Sequence, residues 1–136
     1  MRIFAIDLGD MRTGLAVGDD LTKHVEPLKV IQEGDSALRF QRILKEVDDF
    51  GPDHILVGFP LNMDGTEGPR ARASRAFAQQ LSEATGITTT LQDERLTSFA
   101  ADEALKGTGR TRKSKKRIQD AIAAAELIRD FLGSSA

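Results

Sequence analysis

Residues 3–8 read Ile-Phe-Ala-Ile-Asp-Leu, and the chain then passes through Gly9-Asp10-Met11-Arg12-Thr13-Gly14 into Leu15-Ala16-Val17-Gly18-Asp19. Two short apolar runs separated by a glycine-bounded turn predict an antiparallel hairpin, the glycines serving as residues that tolerate positive φ. The first run is apolar enough to be buried, and that makes Asp7 the residue to explain. An unpaired carboxylate inside a fold costs several kcal/mol or takes up a proton, so a strand-centre Asp is usually paired with a cation or bound to a metal.

The rest of the chain predicts an α/β fold. Leu28-Lys29-Val30-Ile31 reads as a third strand, and Asp35 or Ser36 caps a helix to about residue 50, with Leu38, Ile43, Leu44 and Val47 as its apolar stripe. Gly51-Pro52 stops that helix. Residues 54–59 form a buried strand that opens into a polar loop over 60–68. Pro69 then suits the first turn of a helix to about residue 85, closed by Gly86. Thr88 to Gln92 is a short β-branched strand ending at Asp93-Glu94-Arg95, and Thr97 or Ser98 caps a short helix to about residue 106. A basic loop and a last helix over about 116–132 complete the order. Three strands followed by alternating helices and strands imply a mixed sheet covered by helices.

Composition narrows the chemistry. The 136 residues, 40% of them apolar, suffice for one domain, 1–136, with a single core. The absence of cysteine removes disulfides, thiolate nucleophiles, zinc–thiolate sites and iron–sulfur clusters. His24 and His54 have no second His or Cys at ligand spacing and read as ordinary surface or turn residues. No signal-peptide pattern and no apolar run near ~18 residues occurs, so a soluble cytoplasmic protein is expected. Leu15-Ala16 stands where a P-loop would need Lys-Ser/Thr after Gly9–Gly14, which excludes that mode of nucleotide hydrolysis. Gly-x-Ser-x-Gly and His-Glu-x-x-His are also missing, which removes the serine-hydrolase and zinc-protease readings.

Two acidic positions join Asp7. On the last helix, at ~100° per residue, Asp120 shares the sector of Ala124, Leu127 and Phe131 and therefore points toward the sheet. Ala121, Ala123, Ala124 and Ala125 are small enough to let that helix approach closely. Asp93-Glu94 lies where a strand runs out, the edge at which open α/β sheets place ligands. Adjacent residues face opposite ways, so only one of these two meets the site, and spacing leaves open which. Three acids with neither Cys nor His form an oxygen-only set suited to one or two Mg2+ or Mn2+ ions. Such a site activates water and stabilises the leaving oxygen in phosphodiester cleavage. The competing structural reading pairs Asp7 with Arg12 or Arg95, and lets Asp120 cap or pair beside the basic run.

The net charge of −2 conceals a concentrated basic strip. Arg110, Arg112, Lys113, Lys115, Lys116 and Arg117 follow one another with no acid between them, on an otherwise acidic chain. A charge run alone is usually a solvated loop. Placed just before Asp120, however, these cations would lead a phosphate backbone toward the acids. The turn Asn62-Met63-Asp64-Gly65 sits ahead of a helix N-terminus, another natural place to meet phosphate. With no Trp or Tyr, recognition by base stacking is poorly supported, and backbone and shape remain.

Four motifs in order carry a resemblance that runs the length of the chain. They are Ile6-Asp7-Leu8-Gly9 with Arg12, Gly14, Ala16, Val17 and Asp19; Val57-Gly58-Phe59-Pro60-Leu61-Asn62-Met63-Asp64-Gly65; Asp93-Glu94-Arg95-Leu96-Thr97-Ser98; and Asp120-Ala121-Ile122-Ala123-Ala124. Together they resemble the YqgF family, also called RuvX, of RNase H-like fold. To that family are ascribed Holliday junction resolution and, more often, maturation of the 5′ end of pre-16S rRNA. The resemblance implies that Asp7, Glu94 and Asp120 are the catalytic, metal-binding acids, with Asp93 the lesser member of its pair. It further implies a role for Arg12, Asn62, Arg95 and the basic strip in holding nucleic acid. Met11 stands where the family commonly has a basic residue, which leaves Arg12 to make the phosphate contact of the first turn. Phe59 replaces the usual Leu.

Two other functional classes compete. One is a binding module whose acids are structural and whose strip holds structured RNA or branched DNA without cutting it. The other is an actin-like nucleotide-binding fold, which shares the Asp-x-Gly hairpin but needs two lobes. As a nuclease, the chain could act as a monomer on rRNA or as a homodimer on a DNA junction.

Overall fold

The computed structural model describes residues 1–93 and 112–134, with side chains described for 1–93 and 119–133. Its elements are β1 (Arg2–Asp7), β2 (Arg12–Asp19), β3 (Val25–Gln32), α1 (Ser36–Phe50), β4 (His54–Phe59), α2 (Pro69–Thr85), β5 (Thr88–Asp93) and α3 (Arg112–Ser134). The strands form one five-stranded sheet in the order β3-β2-β1-β4-β5. β1 pairs antiparallel with β2 and parallel with β4, so the sheet is mixed. The expected short helix to residue 106 lies outside the described residues.

β1 reads as a nearly continuous apolar run because both of its faces are covered. Phe4, Ile6 and Leu8 point toward α1 and α2, joining Leu15, Val17, Ile55 and Val57 in a cluster with Ile43, Val47, Phe77 and Leu81. Ile3 and Ala5 point the other way and join Ala16 and Leu56 beneath Ala124, Ala125, Leu127 and Ile128 of α3. Each large side chain buried in these clusters contributes about 1.5–3 kcal/mol.

The helix boundaries follow local chemistry. Asp35 caps α1 by accepting the Leu38 amide at 2.9 Å, and Gly51 ends the helix in the left-handed region at φ 66°. Gly86 closes α2 in the same way at φ 70°. Leu38 departs from expectation: it is exposed, and Phe40 and Phe50 take up the apolar stripe with Ile43, Leu44 and Val47. The spacing 40, 43, 44, 47 and 50 follows one helical face, and Leu38 falls off it.

The hairpin glycines also act differently from expectation. Neither Gly9 nor Gly14 has positive φ; each is needed for space. A Cβ on Gly9 would lie 2.2 Å from the Arg12 carbonyl oxygen across the turn, and one on Gly14 would lie 1.9 Å from the Asp120 carbonyl oxygen. The last helix differs as well. It begins at Arg112, so Arg112, Lys113, Lys115, Lys116 and Arg117 belong to helix and not to a loop. Lys and Arg are good helix formers, and no Gly or Pro interrupts the run after Thr111.

Candidate metal-dependent nuclease site

The alternation that puts Ile3 and Ala5 under α3 puts Asp7 on the same face, at the C-terminal end of the central strand. Asp7 pairs in register with Gly14 of β2. Because Gly14 lacks a side chain, the backbone of α3 at Asp120 and Ala121 packs directly onto it. Strand register and helix contact thus bring Asp7 and Asp120 to one spot from opposite ends of the chain.

The carboxylate of Asp120 is about one quarter accessible, and its Oδ2 is buried without a hydrogen-bond donor among the described residues. Arg12 Nε lies 3.3 Å from that oxygen, an ion pair that lacks the alignment of a hydrogen bond. The competing reading offered Arg12 or Arg95 as a partner for Asp7 and a pairing role for Asp120; the structure places Arg12 beside Asp120, and Arg95 lies outside the described residues. Burial pushes the Asp120 carboxyl above its ordinary value, the charge of Asp7 pushes the same way, and Arg12 and Arg70 oppose the shift. Two acids that repel each other, one with an undonated buried oxygen, suit a hard divalent cation. An all-oxygen donor set points to the same class of ion. Among the described residues no group of three His, Cys, Asp or Glu could hold a metal, and Glu94, the third acid expected, lies outside them.

Asp93 is exposed at the end of β5. Leu91 packs on the α1/α2 side, whereas the Gln92 amide donates to the Leu127 carbonyl of α3 at 3.0 Å. Alternation therefore puts Asp93 on the side away from Asp120. Arg95 and Arg110 lie outside the described residues. Arg112, Lys113, Lys115, Lys116 and Arg117 occupy the first turns of α3, on the helix that carries Asp120. Cations in the first turn of a helix oppose its dipole, so the macrodipole does not account for Arg112, Lys113 and Lys115.

Asn62 lies in the loop between β4 and α2, where its side-chain amide donates to Thr66 Oγ1 at 3.0 Å and its backbone amide bonds the Thr66 carbonyl. Asp64 closes the same loop by accepting the Thr66 hydroxyl and amide, bonds that hold its carboxyl below the usual range. The turn expected from Asn, Asp and Gly is therefore bonded within itself.

Sequence reasoning missed three residues that shape the site. Gly14 sets the helix approach. Arg39 of α1 clasps the turn after β1, donating from Nη1 to the carbonyls of Gly9 at 3.1 Å and Asp10 at 3.0 Å. Arg70, in the first turn of α2, reaches the Leu8 carbonyl with Nη2 at 3.4 Å. For Gly14 the signal was present: a glycine inside an apolar strand, facing an alanine-rich helix. The two arginines carry no sequence signal, because their targets are backbone oxygens brought near only by folding.

A mixed sheet in the order 3-2-1-4-5, with acids meeting at the end of the central strand and beneath the last helix, defines the class of RNase H-like nucleases, enzymes that hydrolyse phosphodiester bonds. The chain belongs to the RuvX family, whose model, described as Holliday junction resolvase, matches residues 1–134. It is 38% identical over 138 residues to a protein of Geobacillus kaustophilus named "Putative pre-16S rRNA nuclease", covering 98% of this chain and 99% of that one. A protein of the same name from Anaeromyxobacter sp. (strain K) is also 38% identical, over 132 residues, covering 97% and 96% of the two chains. Among solved structures, Thermus thermophilus RuvC superposes with a TM-score of 0.61 at 16% identity, covering 99% and 96% of the chains. Fowlpox virus resolvase with its Holliday junction DNA reaches 0.64 at 10% identity, covering 98% of each. At those identities the two structures establish the fold. No helix among the described residues is long and apolar enough to cross a membrane.

Proposed function

We propose that this chain, as one RNase H-like domain in the cytoplasm, cleaves precursor 16S rRNA near its 5′ end during ribosome biogenesis, with Mg2+ or Mn2+ as cofactor. Asp7, Glu94 and Asp120 are its metal-binding acids in this reading. The observation that carries it is the meeting of Asp7 and Asp120 across Gly14, with Asp120 Oδ2 buried and, among the described residues, without a donor. The substrate is taken from the names of the relatives at 38% identity.

When bound, a divalent ion at this position supplies positive charge that acidifies water and stabilises the leaving oxygen. The protein's own groups do the rest. β1 and α3 hold two carboxylates rigidly at the edge of a packed sheet. Arg12 offsets the charge of Asp120 and would be placed to meet a phosphate beside it. The cations of early α3, with Arg95 and Arg110, hold the nucleic-acid backbone, which sets register without reading bases. In the net reaction a water oxygen bonds to phosphorus, one P–O ester bond breaks, and the strand ends as a phosphate and a hydroxyl.

The family description favours a second reading, resolution of branched DNA, which requires two coordinated sites and hence a homodimer; trimming of rRNA suits a monomer. The test is Asp7→Asn, with cleavage and binding measured separately in Mg2+ on precursor 16S rRNA and on a four-way DNA junction, beside the mass in solution. Cleavage should fall at least about 10²-fold while affinity persists. Unchanged cleavage on both substrates overturns the nuclease site, and selective cutting of the junction by a dimer transfers the substrate to DNA.

A further inference from the structure

We propose that Arg70 is a second phosphate-gripping arginine of this site, reaching it from the side of β1 opposite to Arg12. This rests on the nuclease reading above. In the strand order, β2 flanks β1 on one side and β4 flanks it on the other. Arg12 starts β2, whereas Arg70 starts α2, which follows the loop leaving β4. The two guanidinium groups therefore converge on the end of β1 from opposite flanks. Arg12 contacts Asp120, and Arg70 contacts the carbonyl of Leu8, the residue after Asp7.

Three observations separate Arg70 from an ordinary structural arginine. It is exposed, although it bonds across the chain to the end of β1. Among the described residues its one hydrogen bond is long, at 3.4 Å, and engages one nitrogen of a group with five N–H donors. Arg70 also lies close enough to Asp120 for the two opposite charges to interact. A loosely held guanidinium within electrostatic reach of Asp120 has little reason to be there for stability, since exposed pairs are worth about 0–1 kcal/mol. Its planar fork suits the two non-bridging oxygens of a phosphodiester. Arg75, on the same helix, is by contrast occupied by Glu67 at 3.0 Å and by the Phe59 ring.

The test is Arg70→Gln, which removes the charge and, two bonds shorter, the reach to the Leu8 carbonyl, with Arg70→Lys and Asp7→Asn alongside. Single-turnover cleavage, KM and Mn2+ affinity are measured on the folded full chain. Arg70→Gln should lower kcat by about 10²-fold, the usual cost of removing one donor to transition-state charge. Mn2+ affinity should be kept or improved, because a cation has left the acids. Arg70→Lys should recover part of the rate, a response that loss of packing would not give. Cleavage by Arg70→Gln within twofold of the parent, while Asp7→Asn is dead, overturns the role of Arg70 and leaves the nuclease reading intact. Full cleavage by Asp7→Asn removes both. If Arg70→Gln does not fold, Arg70→Lys decides: a loss of several-fold in kcat supports the grip, and an unchanged rate overturns it.

Discussion

A methyl group on Gly14 would fall 1.9 Å from the carbonyl oxygen of Asp120 and 2.7 Å from the amide nitrogen of Ala121. The obstacle is backbone, which cannot swing aside as a side chain would, so α3 must lift from the sheet to admit it. Gly14→Ala should destabilise the protein by about 3 kcal/mol, at the upper end of overpacking costs. The same displacement carries Asp120 away from Asp7. Chemical denaturation beside a divalent-ion titration checks both: a variant of parental stability that binds metal normally would show that the helix does not rest on Gly14.

Asp120 should oppose the stability of the metal-free fold. Burial raises its folded-state pKa above the ordinary 3.8. Its favourable contribution is therefore complete below the unfolded value and lost as pH rises through the folded one. At neutral pH without metal, the fold carries an ionised carboxylate it would rather protonate. Asp120→Asn should raise Tm by a few degrees in chelator at pH 7 and abolish the stabilisation that added Mg2+ or Mn2+ gives the parent. An equal or lower Tm in chelator would mean that the Arg12 pair outweighs desolvation.

His54 makes the opposite contribution. Its ring packs on Phe131 with centroids 5.0 Å apart and meets Thr90 Oγ1 at 3.0 Å, and desolvation lowers its pKa from 6.5. Folded and unfolded chains are both neutral at this group above that value. As pH falls through 6.5 the unfolded chain takes the proton first, and stability is lost down to the folded pKa. Between pH 7.5 and 5.5 the parent should therefore lose more stability than His54→Gln, by urea denaturation. Parallel pH dependences would sink the assignment.

The cations of early α3 should act on binding and not on folding. Replacing Lys115, Lys116 and Arg117 by Gln, which keeps helix propensity, should weaken nucleic acid binding alike for all sequences. The slope of log K against log salt should shrink by about one for each phosphate that is no longer neutralised. Removing cations from a helix N-terminus should leave Tm unchanged or slightly raised. An unaltered salt slope would take these residues out of the interface.

Periodicity and termination signals lie in the sequence itself, which is why all five strands, α1 with its cap narrowed to Asp35 or Ser36, and α2 from Pro69 to Thr85 with Gly86 closing it could be read from it. So could Asp120 on the sheet-facing side of the last helix, because small residues around an inward acid at helical spacing admit little else. Three matters needed tertiary contacts. Lys and Arg are strong helix formers as well as common loop residues, so the start of α3 at Arg112 instead of near residue 116 was not legible. Gly9 and Gly14 are glycines because neighbouring backbone occupies the space a Cβ would need, and local rules attribute such residues to φ instead. The partner of Arg12, and the reach of Arg39 and Arg70 to backbone oxygens at the end of β1, depend on which elements become neighbours. One-dimensional patterns encode which face of each element is apolar. Which polar groups meet across those faces is decided only when the sheet and helices pack.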